Sequence, residues 1–300
     1  MQINMIRSDK VYQEMLELPL EKREGCFRAK ILAPFAMKYQ TQHIPLKAKY
    51  PGGFDALFLL GFMNQLPSTL SEKDRPAIDS LSSDQLWQNC QDTIKRSIGL
   101  FEQAGYDLEV EDYHFTILLG NPEKPMLQLN KGYSGDGGIP GYLMLSLLPN
   151  DYTLPRVQAA LAHECNHNVR FQFIKWNQQT TLADWVVSEG LAESFAAELY
   201  GKDLIGPWVT STSPEQLEEI KPIISSQLQL TGMAEMAPYL YGDEIAKIQG
   251  QIPVGMPYAA GYAYGYHLIQ AYLKKTGKTI IEATVTPTEE IIEATKDFWK

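Results

Sequence analysis

With 300 residues, 44% of them hydrophobic, the chain is long enough to bury a substantial core as one large domain or two lobes. A formal charge of -10 gives no electrostatic reason to approach phosphate backbones or anionic lipid, so neither nucleic acid nor a membrane is an expected partner. The opening MQINMIRSDKVYQEMLELPLEKREG lacks the apolar core of a secretory signal, and nothing elsewhere approaches the roughly 20 apolar residues that span a bilayer, so a soluble, cytoplasmic protein is expected.

The first fifty residues read as helix and loop, punctuated by Pro19, Pro34 and Pro45, and carry no motif. From Ser82 to Ala104 an acidic first turn, apolar Leu86, Cys90, Ile94, Ile98 and Phe101 at helical spacing, and the stop at Gly105 predict an amphipathic helix. HFTILLG and GYLMLSLLP are short apolar segments suited to strands of a part-buried sheet. Between them GYSGDGGIPG is either a flexible hairpin connection or a backbone that must come close to a ligand; glycine serves both. Pro155 suits a first helical position, and RVQAALAHECNHNVRFQFIKW follows it as a long helix. After NQQTT a second helix, LADWVVSEGLAESFAAELYG, ends at Gly201. Six prolines break residues 202–257 into irregular helical pieces, and YAAGYAYGYHLIQAYLKKTG predicts a last strong helix. Cys26, Cys90 and Cys165 are odd in number and widely spaced, which fits reduced thiols, with Cys165 a small buried apolar residue.

The chemistry lies in LAHECNHNVR. Val157, Leu161, Cys165 and Val169 step by four along one helix face, whereas His163 and His167 project from nearly the opposite one. Two imidazoles one turn apart can converge on a single tetrahedral ion, and Glu164 beside them can reach water at that ion as a general base. Catalytic zinc keeps three protein ligands, and SEGLAES supplies Glu189 on a predicted helix, with 21 residues intervening after His167 for the chain to turn back. Glu193, one turn further on, could accept the outer N–H of a ligating imidazole. The plainer alternatives are a solvated histidine pair and a solvated glutamate face.

At HECNH and SEGLAE the sequence resembles the gluzincin metallopeptidases, in which His-Glu-x-x-His is followed by a separate helix that donates a glutamate. More narrowly, it resembles the bacterial DUF2268 group of predicted zinc-dependent proteases, the YjaZ-like proteins. That resemblance rests on the strand after a glycine-rich turn, on Ser-Glu-Gly-Leu-Ala-Glu and on the late GYAYGY, and it spans about residues 110 to 300. It implies one zinc ion per chain held by His163, His167 and Glu189, with Glu164 activating water and returning the proton to the leaving amine. Glu193 matches a position outside the ligand set where thermolysin-like enzymes have aspartate. Among Tyr258, Tyr262, Tyr264, Tyr266 and His267, the resemblance favours Tyr262 as the oxyanion donor, set against ordinary packing of Tyr258, Tyr262 and Tyr266 on one helix face. It also places the strand 142–148 at the sheet edge, where Gly141, Tyr142, Leu143 and Met144 would bind extended peptide.

The expected fold is α+β and gluzincin-like: a small mixed sheet packed on the HExxH helix (111–178), a mainly helical C-terminal lobe (179–300), and a helical region 1–110 of separate role. The expected function is peptide-bond hydrolysis on a peptide or protein substrate. The rival is a catalytically weak zincin-like protein in which zinc serves a regulator or adaptor; an intact Glu164 argues against that, since a structural site has no use for a base.

Overall fold

The computed structural model describes residues 1–298. It is predominantly helical, with one four-stranded mixed sheet. The chain forms two compact units, residues 1–96 with 109–164, and residues 97–108 with those from 165 on.

The first unit holds the sheet: β1 (Gln2–Met5), β2 (Asp112–Leu119), β3 (Tyr133–Asp136) and β4 (Tyr142–Leu147), in spatial order β1-β2-β4-β3. β1 and β4 run parallel to β2, and β3 runs antiparallel to β4 with Tyr133 opposite Leu147 and Asp136 opposite Met144. β2, DYHFTILL, is apolar and β-rich, so both of its faces bury and from Tyr113 on only His114 keeps partial exposure. Tyr12, Met15, Trp87, Phe115 and Ile117 fill the core around it. The buried Tyr12 hydroxyl accepts the Leu119 N–H at 3.2 Å, so neither polar group is stranded.

Three sequence expectations change here. β1 lies within residues 1–110, read as helical; four residues are too few to show a period, and parallel pairing with Asp112–Phe115 decides their conformation. The glycine-rich stretch is not merely a connection, because it contains β3, whose Tyr-Ser-Gly-Asp has little strand propensity of its own. β4 is therefore not the edge strand. β2 pairs along its whole length on one side and β3 along Met144–Leu147 on the other, which places β3 at the rim.

The motif helix, Val157–Phe173, follows a 3-10 turn at Leu154–Arg156 that carries Pro155. It is buried on all faces from Ala159 to Arg170. Next comes the glutamate helix, Leu182–Tyr200, opened by a reciprocal cap in which Thr181 N–H donates to Asp184 at 2.9 Å and Asp184 N–H donates to Thr181 Oγ1 at 3.3 Å. It packs on the tyrosine helix, Ala260–Thr276, through paired glycines: a Cβ on Gly190 would overlap the Gly265 carbonyl, and one on Gly265 would overlap that of Val186. The second glycine of GYAYGY, Gly265, is thus a helix-crossing point.

Arg170 is fully buried on the motif helix. It donates to the Thr284 and Thr286 carbonyls at 2.8 and 3.1 Å, to Thr288 Oγ1 at 2.9 Å and to Ser188 Oγ at 3.2 Å. Burial lowers its pKa to about 10, which still leaves it charged at neutral pH. Asn166 adds a bond to Thr284 Oγ1 at 2.7 Å, so the motif helix is tied to residues 284–288 from two positions. Among the described residues no helix is long and apolar enough to cross a membrane.

Candidate metal centre

Helical spacing carries His163 and His167 to the same side of the motif helix, and the glutamate helix brings Glu189 to them. The face that the sequence left open between ligand and solvated surface is interior: His163 is 4% exposed, His167 7% and Glu189 8%. One ligand atom from each lies within 4.8 Å of the others. Two donors about 2.1 Å from a tetrahedral ion stand about 3.4 Å apart, and His167 Nε2 is 3.2 Å from Glu189 Oε2. Two imidazoles and a carboxylate are also the donor set of catalytic zinc, which keeps a fourth position open. The residues therefore fit a zinc ion in chemistry and in separation.

Two of the three candidate ligands, Glu189 and His167, are held by their surroundings. Glu189 Oε1 accepts the indole N–H of Trp185 at 3.2 Å, which leaves Oε2 turned toward His167. His167 stacks on Phe171, one turn further along, with ring centroids 5.7 Å apart and planes 2° from parallel. Trp185 itself packs edge-on against Trp176 and Tyr241. The sequence signal for Trp185 is its place four residues before Glu189, which puts it on the same helix face.

Glu193, one turn beyond Glu189, is 2% exposed. Its carboxylate accepts the Gly206 N–H at 2.6 Å and the Trp208 indole N–H at 2.7 Å. These bonds fasten the 206–208 turn to the glutamate helix, an anchoring role that the spacing did not reveal. Trp208 also lies 6.3 Å from the Tyr262 ring, which is 6.0 Å from Tyr241.

Glu164 is 7% exposed and sits against the rim strand. A Cβ on Gly135 would overlap its carboxylate, and a Cβ on Gly137 would overlap its backbone carbonyl. The glycines flanking Asp136 thus let β3 lie directly on the candidate base. The close approach that the sequence suggested is made to a helix of the same chain.

The remaining candidates separate. Tyr264 is buried, near Ser225 Oγ at 3.3 Å and edge-on to Phe298, and burial pushes its phenol up to about 12. His267 is held below the usual imidazole range by burial and by Lys221. Burial raises Tyr266, with Glu193 adding to the shift. Tyr262, which stays partly exposed, keeps company with Tyr241 and Trp208. Gly141, Tyr142, Leu143 and Met144 do not form an open edge: the Gly141 carbonyl accepts from His114 N–H at 2.8 Å, and Tyr142 N–H donates to Ile139 at 3.0 Å. Tyr142 stacks on His114 at 5.3 Å, and Leu143 and Met144 are buried. Their expected role in strand addition is corrected accordingly.

The family described as predicted Zn-dependent protease (DUF2268) matches residues 86–293. Uncharacterized protein YjfC of Bacillus subtilis (strain 168) is 35% identical over 293 residues, covering 97% of each chain. Uncharacterized protein YjaZ of the same organism is 26% identical over 155 residues, covering 50% of this chain and 55% of that protein. No solved structure matches. With a buried His-His-Glu group able to hold a metal inside the matched stretch, and a relative similar along nearly its whole length, the chain belongs to the DUF2268 family of predicted Zn-dependent proteases.

Proposed function

We propose that the protein is a zinc-dependent peptidase with gluzincin-like packing, its machinery carried by residues 111–300. The observation that carries this reading is the convergence of His163, His167 and Glu189, all buried, beside a buried Glu164 that no structural metal site requires. His163, His167 and Glu189 would hold the zinc ion, which would supply Lewis acidity to water and to a peptide carbonyl. Glu164 takes the proton from the attacking water on its carboxylate and returns it to the departing amine. Its seat against Gly135 excludes solvent from one side of the carboxylate. Tyr262 donates a hydrogen bond to the developing oxyanion. The substrate is a peptide or protein that adds in extended form along β3, since main-chain pairing at a sheet rim recognises any sequence.

Glu164→Gln tests the mechanism. The variant should retain zinc, read by elemental mass spectrometry, and lose hydrolysis of a peptide library; a turnover equal to wild type removes Glu164 as the base. Glu189→Ala should lose zinc, and full occupancy in that variant would exclude Glu189 from the ligand set.

A further inference from the structure

The region before residue 86 lies outside the family match, yet it reaches the rim strand. In the short helix Ala36–Thr41 two consecutive side chains grip one residue pair of the sheet. Lys38 Nζ pairs with Asp136 Oδ2 at 2.7 Å, and the Tyr39 hydroxyl lies 3.9 Å from Met144 Sδ. Asp136 and Met144 are opposite one another at the end of the β3–β4 ladder. Lys38 is 2% exposed and Asp136 47%, so an interior ammonium is held by a carboxylate on the rim. A buried ammonium without its carboxylate is strongly disfavoured, which makes the pair a directional tether. Asp136 stands between Gly135 and Gly137, the two glycines laid on Glu164.

We propose that Lys38 is a positioning residue: through Asp136 it fastens the strand segment 135–137 onto Glu164, so the N-terminal region completes the seat of the base. The kinetic part of this inference rests on the peptidase reading. The structural part does not.

The test uses the zinc-loaded full chain as wild type, Lys38→Met, Asp136→Ala and the double variant. Asp136→Ala acts from the half-exposed side and keeps the test open should Lys38→Met fail to fold. Hydrogen–deuterium exchange is expected to rise at least about tenfold in residues 133–138 of Asp136→Ala, with residues 112–119 unchanged. Unchanged exchange at 133–138, or a rise throughout the sheet, overturns the proposal. In turnover, each single variant should lose kcat about tenfold at unchanged KM and zinc content, and the double variant should lose no more than the worse single. Losses that multiply, or a loss in KM alone, overturn it. A zinc-loaded wild type that cleaves no peptide defeats the peptidase reading instead, and the exchange result still decides whether Lys38 fastens the strand.

Discussion

The rim of the sheet and the glutamate helix hold their carboxylates in opposite ways. At the rim, Glu164 is seated by the absence of side chains, since the backbone of Gly135 and Gly137 occupies the space a methyl group would need. On the glutamate helix, Glu189 and Glu193 are seated by the presence of large donors, the indoles of Trp185 and Trp208. The first arrangement fails when an atom is added and the second when a bond is removed. The two can therefore be broken separately.

The largest expected effect is at the rim. Gly135→Ala places a methyl group on the end of the Glu164 side chain, which can swing aside with little loss of stability but leaves its working position. Peptide turnover should fall at least about 100-fold with zinc content and melting temperature near wild type. Gly137→Ala meets helix backbone instead and should show in thermal melts as a stability loss of about 1–3 kcal/mol. A Gly135→Ala protein as active as wild type would mean that strand contact does not set the base.

Next in size is the bonded side. Arg170→Met keeps the volume but takes the donor from the buried Thr284 and Thr286 carbonyls and from Thr288 Oγ1, so urea unfolding should report a loss of about 3 kcal/mol. Trp185→Phe removes only the indole donor to Glu189 and should weaken zinc binding about tenfold in a competitive chelator titration. Equal affinity in the two proteins would show that the carboxylate holds its orientation without that bond.

The smallest effect lies outside both regions. Burial and Lys221 depress the His267 pKa in the fold. The unfolded chain therefore binds a proton near pH 6.5 that the folded chain refuses, and stability present above about pH 6.5 is lost as the pH falls toward the folded value. His267→Gln should narrow the gap between urea midpoints measured at pH 7.5 and 5.5; an unchanged gap would assign the acid sensitivity to other groups.

The same contrast explains what could be read in the sequence. Residues that act through side chains at helical spacing were legible: the His163, His167 and Glu189 arrangement follows from period and turn-back length, and the 82–104 helix from its apolar stripe. Residues that act through backbone were not. β1 is too short for a pattern, β3 is built of residues that disfavour strands, and the apolar β4 alone reads as the rim. The glycine-rich text did signal a close approach, but composition cannot name what approaches. Lys38 gave no local signal at all, since its partner lies far along the chain and only tertiary contact joins them.

The ties from Arg170 and Asn166 to Thr284, Thr286 and Thr288 carry a consequence for biosynthesis. The candidate metal-binding triplet has left the ribosome once Glu189 has emerged, but the polar groups that let its helix sink into the interior are translated about a hundred residues later. A chain arrested before Thr284 would hold its histidines on a helix whose charged guanidinium keeps only Ser188 of its hydrogen-bond partners. Burial of the helix therefore waits for residues 284–288, and chains truncated before Thr284 should bind zinc more weakly than the full chain in a competitive chelator titration.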